Sequence, residues 1–115
     1  MKTLIRSILA SLILATTLSA QGAISYESIT IANTAIGITS SVYTVSGKNA
    51  SKCVGSLETA QIRVRLDGTN PTTSEGVLVE IGQTVTLDGF VNIKAFRAIR
   101  TGSTSGVLKV HCYAY

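Results

Sequence analysis

The sequence predicts an all-β chain that folds as a single small antiparallel β-sandwich of about seven to eight strands. Apolar residues alternate with a period of two along most of the chain, which is typical of strands with one solvated face. Glycine and polar clusters separate these runs roughly every 8 to 12 residues, and no window of about 11 residues has a helical stripe. The 115 residues suffice for one domain, which we assign to residues 21–115.

Residues 1–20 have the pattern of a secretory signal peptide. Lys2 and Arg6 precede an apolar run over residues 8–18, and residues 18–20 (Leu-Ser-Ala) offer small side chains for cleavage. The run is shorter than the about 20 apolar residues that span a bilayer. We therefore expect a cleaved signal and an exported protein, with a retained N-terminal helix or anchor as the alternative.

The charge of the remaining chain is modest. Without Lys2 and Arg6, eight of the ten basic residues remain against six acidic ones, a balance of +2. The basic residues are spread singly, without the cluster that binds nucleic acid. One histidine and two distant cysteines form no metal-ligand set, so the sequence predicts no metal, no cofactor and no nucleic-acid partner.

Cys53 and Cys112 are the two cysteines. In an exported chain an even number of cysteines favours a disulfide. Both residues share the apolar face of their predicted strands, and a bond requires Cα atoms within about 7 Å. We therefore predict that the strand over residues 52–58 lies beside the C-terminal strand or across the core from it. Two free buried thiols, in a reducing compartment, are the alternative.

The predicted strands follow in order from this alternation. The clearest covers residues 61–67, and further strands cover residues 77–81, 85–87 and 108–112. Their inward residues are Ile62, Val64 and Leu66, then Val77, Val79 and Ile81, then Val85 and Leu87, and finally Leu108, Val110 and Cys112.

Residues 91–99 carry apolar side chains at both odd-numbered and even-numbered positions. This pattern predicts a central strand that is buried on both faces. Val91, Ile93 and Ala95 lie on one face, and Phe96 and Ala98 lie on the other. Because the remaining core is aliphatic, we expect the aromatic side chains of Tyr26, Phe90 and Phe96 to fill it.

The stretch over residues 67–76 joins two strands and is rich in turn residues. Asp67 and Gly68 tolerate a positive φ, Asn70 precedes Pro71, and Pro71 presets φ for a second turn. Asp67 and Glu75 are too few carboxylates for a calcium loop. The residues Asp67, Gly68, Asn70 and Pro71 are thus predicted to form a structural turn.

No catalytic set is evident in the sequence. His111 alternates with Lys109 and Tyr113 on the outward face of the last strand, without a Ser-His-Asp order. Nothing in the spacing of Glu58, Glu75 and Glu80 singles out a pair of glycosidase carboxylates. We expect a protein that is not an enzyme.

Three segments resemble a group of small β-rich proteins encoded among bacteriophage structural genes. They are SYESITIANTAIGIT, LETAQIRVRLDGTNPT and NIKAFRAIRTGSTSGVLKV, and the similarity extends over residues 24–113. The resemblance implies a virion accessory role, such as a capsid decoration or head–tail component, and names no catalytic residues. The signal-like N-terminus departs from that group. IRVRLDGTNPT and the later IKAF are also weakly similar to small β-sandwich modules of chitin-degrading enzymes.

These observations leave three hypotheses for function. The leading one is a non-enzymatic structural protein that packs repetitively on a larger assembly, through self-association or a capsid or filament lattice. It would be exported, extracellular or part of a virion, with no membrane in its mature form.

The second hypothesis is an exported filament subunit that polymerises by β-strand addition. Its assembly strands would be the segment with Ile24, Tyr26, Ile29 and Ile31 and the C-terminal strand with Val110, Tyr113 and Tyr115. The alternative is that these two segments are ordinary first and last strands of one sandwich.

The third hypothesis is a secreted carbohydrate-binding module, which we rank last. The chain has no Trp, and sugar recognition on β-sheets relies on exposed aromatic rings. Tyr43, Tyr113 and Tyr115 are the residues that could form a small platform.

Overall fold

The computed structural model describes residues 22–114, which form nine strands and two short helices. The predicted signal segment over residues 1–20 and the terminal Tyr115 lie outside the described residues. The elements are β1 (Ala23–Ile31), α1 (Ser40–Tyr43), β2 (Thr44–Val45), β3 (Lys48–Asn49), β4 (Lys52–Glu58), β5 (Ile62–Arg65), β6 (Val77–Val79), β7 (Thr84–Asp88), α2 (Phe90–Ala95), β8 (Arg97–Arg100) and β9 (Gly106–Tyr113).

The strands form antiparallel sheets, which confirms the predicted all-β class. The larger sheet has the order β1-β9-β4-β7, and the smaller one has the order β6-β5-β8. A separate hairpin pairs β2 with β3. The first and last strands of residues 22–114 are therefore neighbours, and β6 and β7 each end a sheet.

One core joins the inward faces of the two sheets. β4 and β9 contribute Cys53, Leu57, Leu108, Val110 and Cys112, all buried, and β5 contributes Ile62 and Val64. These residues alternate with exposed or half-buried neighbours along each strand. The period-two pattern thus predicted the core-facing residues of these three strands.

The predicted central strand over residues 91–99 is wrong, because residues 90–95 form the helix α2. Gly89 has a φ of 88°, which turns the chain at the end of β7. Ile93 and Phe96 are buried three residues apart, as on one face of a helical turn, whereas Val91 is 79% exposed. Only residues 97–100 form the strand β8.

Two other core expectations also fail. The strand predicted over residues 61–67 ends at Arg65, and Leu66 beyond it is exposed. Tyr26 does not fill the core: its side chain is 53% exposed on the outer face of β1, where its ring centroid lies 5.0 Å from that of His111. Phe96 is fully buried as expected, and Phe90 is half-buried.

β4 lies beside β9, which confirms the placement predicted from the cysteines. Cys53 is directly opposite Cys112, their Cα atoms are 4.1 Å apart, and a disulfide joins them. The two strands also approach closely at Gly55, where an added Cβ would lie 2.8 Å from the carbonyl oxygen of Lys109. This register fixes the centre of the larger sheet.

Candidate assembly surface

One side of the two sheets is covered by the segment over residues 32–43. In the larger sheet, the Ser25 hydroxyl donates to the carbonyl of Val42. The inward-facing carboxylate of Glu27 accepts from the backbone N–H of Thr39 at 3.0 Å and from its hydroxyl. These contacts are made by side chains of β1, and they hold the segment against the inward face of that strand.

The same segment also covers the edge of the smaller sheet. Ile36 pairs with Ala98 of β8 through two backbone hydrogen bonds of 2.9 Å and 2.8 Å. The N–H of Arg100 further donates to the carbonyl of Ala32 at 3.0 Å. We call this covered side, formed by β1, β8 and residues 32–43, the closed edge.

The opposite side, formed by β6, β7 and the turn between them over residues 80–83, is the open edge. Val77 is 70% exposed and Ile81 is 59% exposed, and Leu66 and Leu78 are exposed as well. The alternation of Val77, Val79 and Ile81 predicted core positions. The structure places only Val79 against the core, because β6 is a short terminal strand.

An apolar cleft opens between the two strands of the open edge. Its volume is about 350 Å³. Its lining is apolar except for two threonines: Val64, Leu66, Val77, Val79, Thr84, Val85, Thr86 and Leu87. The cleft arises because β6 and β7 belong to different sheets and do not pair with each other.

The backbone of β7 alternates between its partner β4 and the open side. Toward β4, the carbonyl of Gln83 accepts from Leu57 and the N–H of Gly89 donates to Ser51. In an antiparallel pair these groups turn toward the partner at every second residue. The backbone N–H and C=O groups of Val85 and Leu87 therefore point toward β4. Those of Thr84 and Thr86 point toward the open side.

The loop after β5 folds back onto its own strand, as expected for a structural turn. Arg63 donates to the carbonyls of Thr73 and Gly76 at 3.0 Å and 2.9 Å. Pro71 is buried and would meet a Cβ at Gly76 at 3.1 Å. The backbone φ of Gly68 is 81°, and Asn70 is exposed. These contacts give the stretch a structural role.

Asp67 pairs with Arg65 at the start of this loop. The hydrogen bonds from Arg65 are the main cause that lowers the pKa of Asp67, to about 2, and the N–H of Thr69 contributes. The same pair raises the pKa of Arg65. Within residues 22–114, no three His, Cys, Asp or Glu side chains come close enough to hold a metal ion.

The polar residues considered for catalysis are dispersed. Glu58 ends β4, Glu75 lies in the loop before β6, and the carboxylate of Glu80 accepts from the side chain of Gln61 at 2.6 Å. His111 is exposed on the outer face of β9, beside Tyr26. A shallow depression of about 330 Å³ lies there, with Lys109 among its lining residues.

Of the three tyrosines that could form a sugar-binding platform, Tyr43 and Tyr113 lie within the described residues, and both are only partly exposed. Tyr43 is half-buried and packs edge-on against Phe90, with ring centroids 5.7 Å apart. Tyr113 is half-buried at the end of β9.

The candidate assembly strands pair with each other inside the chain. Residues Ile24, Tyr26, Ile29 and Ile31 belong to β1, and Val110 and Tyr113 belong to β9. β1 and β9 are antiparallel neighbours, with Ile29 opposite Leu108. Within residues 22–114 they are the first and last strands, and they pair with each other in one sheet.

Comparison with protein-family models, with curated proteins and with solved structures finds no match to the chain. Neither of the short helices in residues 22–114 is long and apolar enough to cross a membrane. Four of the seven large hydrophobic residues that are exposed within residues 22–114 lie at the open edge or in its cleft: Leu66, Val77, Leu78 and Ile81.

Proposed function

We propose that this protein is a non-enzymatic structural protein, a β-sandwich that packs repetitively on a larger assembly as an accessory component of a bacteriophage virion. A capsid decoration or head–tail role fits best. The observation that carries this proposal is the open edge, where two terminal strands flank an exposed apolar cleft.

Exposed strand edges are a liability that soluble proteins normally cover or charge. At the closed edge, residues 32–43 cover β8 through backbone hydrogen bonds and bond to the carboxylate of Glu27 on β1. At the open edge, by contrast, Val77 and Ile81 expose more than half of their side-chain surface. A contiguous apolar surface of this kind supports a role in protein association.

Two further observations support the proposal. The three sequence segments that resemble phage structural proteins lie in β1 and the stretch that follows it, in β4 to β5 with the following loop, and in α2 to β9. The resemblance therefore extends over both sheets. The buried disulfide between Cys53 and Cys112 fits a protein that meets oxidising conditions, either by export or on a virion surface.

The direct test is to purify particles and filaments from the native source and to identify their components by mass spectrometry. Electron microscopy of the same fractions should place the protein at a repeated position on a capsid or tail. Absence of the protein from every assembled fraction would contradict the proposal.

A second candidate function is an exported subunit that polymerises by strand addition. The same open edge favours it, because uncovered backbone groups can accept a strand from a neighbour. The two candidates differ in the material that contains the protein. Extracellular filaments built from this chain alone would favour polymerisation, whereas virions containing other structural proteins would favour the accessory role.

A further inference from the structure

We infer that the open edge is a docking site for an extended segment of another protein, with apolar side chains at alternate positions and basic residues at its ends. This inference rests on the proposed role in an assembly and names the site and the partner chemistry. The segment would add a strand beside β7 and place its apolar side chains in the cleft between β6 and β7.

The backbone of β7 supplies the hydrogen-bonding pattern for this strand. The outward N–H and C=O groups of Thr84 and Thr86 are spaced as in any sheet edge, so an antiparallel strand can bond both residues. The carbonyl of Asp88, which also faces outward, already accepts from the side chain of Asn92 at 2.9 Å. The pairing therefore ends there, and β7 holds a segment of about five residues.

The cleft determines which side chains the segment must carry. Side chains of a strand alternate between the two faces of a sheet, so every second residue of the added strand points into the cleft. Val77, Val79, Val85 and Leu87 line that space. Branched apolar side chains would fill it and cover Val77, whereas polar ones would leave hydrogen-bonding groups unsatisfied there.

The charges around the open edge indicate which residues fit at the two ends of the bound segment. Residues 52–88, which contain β4 to β7, carry five acidic residues (Glu58, Asp67, Glu75, Glu80 and Asp88) and three basic ones (Lys52, Arg63 and Arg65), a balance of −2. Arg65 and Asp67 form an ion pair and offset each other. The charged residues beside the ends of β6 and β7 are Glu75, Glu80 and Asp88, all acidic. Lysine or arginine at the segment's ends would complement this acidic rim.

The same charges argue against a second copy at this site. A two-fold contact places the same patch on both partners, so two open edges would bring acidic rims together. Arg97 and Arg100, the basic residues of β8, offer no free strand edge either, because Ile36 pairs with that strand. A segment of a different assembly protein is therefore the occupant that fits.

The test uses the purified full chain and a labelled synthetic peptide in which valine alternates with threonine between terminal lysines. Fluorescence anisotropy should show saturable binding that weakens as salt is raised, and amide exchange should slow at Thr84 and Thr86. A peptide with glutamate at both ends should bind at least tenfold more weakly. So should a peptide of the same composition in which the valines are consecutive.

Matched variants locate the site. Val77→Lys should abolish peptide binding, whereas Val91→Lys, a change at a similarly exposed valine on α2, should leave it unchanged. Thr86→Pro removes an outward N–H and should also abolish binding, and Glu75→Gln with Glu80→Gln should weaken it severalfold. Circular dichroism checks that each variant is folded. If the Thr86→Pro variant does not fold, the variant with both glutamine substitutions still tests the site.

Several results would overturn the inference. They are no binding by the folded wild type, equal binding by the Val77→Lys and Val91→Lys variants, or a concentration-dependent dimer that the Val77→Lys change dissolves. If the protein is absent from all particles, the proposed function fails even where the peptide binds. If the Val77→Lys variant enters particles as well as the wild type does, the docking site fails while the proposed function stands.

Discussion

On one side of the two sheets, residues 32–43 bond to side chains of β1 and to the backbone of β8. On the other side, no segment within residues 22–114 lies across β6 and β7. Edge protection at the closed edge includes the inward-facing carboxylate of Glu27, which is bonded to Thr39. An inward charge of this type discourages pairing with other chains. The comparison shows that residues 32–43 and the Glu27 carboxylate protect the closed edge, whereas the described residues provide no such protection at the open edge.

The largest effect is expected from removing the closed edge. Deleting residues 24–31 takes away the buried side chains of Ile29 and Ile31 and leaves β9 without a partner along one side. We expect complete loss of the cooperative fold, measured by thermal melting and by NMR amide dispersion. A folded monomer that no longer assembles would instead show that β1 is exchanged between subunits.

The next effect concerns the bond that ties the two halves of the larger sheet together. Cys53 and Cys112 are 59 residues apart in the sequence. On the chain-entropy model, a loop of that length makes the disulfide worth about 4 kcal/mol. The Cys53→Ala, Cys112→Ala double variant should lose close to that amount in urea denaturation, and the wild type under reducing conditions should behave similarly. An unchanged midpoint would mean that the bond is not formed in the native protein.

A pair of truncations compares the two edges directly. Ile29 of β1 is 3% exposed, whereas Val77 of β6 is 70% exposed. Ile29→Ala should destabilise the fold by about 2 to 4 kcal/mol through the lost packing. Val77→Ala should change stability by less than about 0.5 kcal/mol. Chemical denaturation of both variants measures the difference, and equal losses would show that β6 is buried in solution.

The smallest effect is at the loop beside the open edge. Because Arg65 lowers the pKa of Asp67 to about 2, the ion pair stabilises the fold above the ordinary carboxyl pKa of about 4. It is lost as the pH falls through about 2. The contribution should be small since the pair is exposed. An NMR titration should show Asp67 titrating near pH 2, and in the Arg65→Gln variant its pKa should move back toward 3.8.

Much of the core could be predicted from the period-two pattern. The buried apolar residues of β5 and β9 and the buried Cys53 of β4 were assigned correctly, because each strand has one apolar and one polar face. The buried Gly55 and Gly106 were not assigned, since glycine adds nothing to an apolar alternation. The position of the cysteines on those faces also placed β4 beside β9. Local alternation carries this information, since burial follows directly from the pleat.

The helix α2 and the open edge could not be predicted in that way. A helix of six residues is too short for a periodicity window, and Val91, Ile93 and Ala95 imitate a strand. At the open edge, Val77 and Ile81 alternate like core residues, yet they are exposed. Their exposure depends on which strands end each sheet, and that arrangement is set by long-range pairing rather than by local sequence.

The pairing of β1 with β9 also places the two ends of the described chain side by side. Ala23 is opposite Tyr113 in the register, so a linker of a few residues would join the ends into a continuous backbone. New termini could then be opened in the exposed loop over residues 102–104, as circular permutation favours such sites. A domain fused directly before Ala23 or directly after Tyr113 would emerge from the same corner of the sheet, beside β1 and β9 and apart from β7.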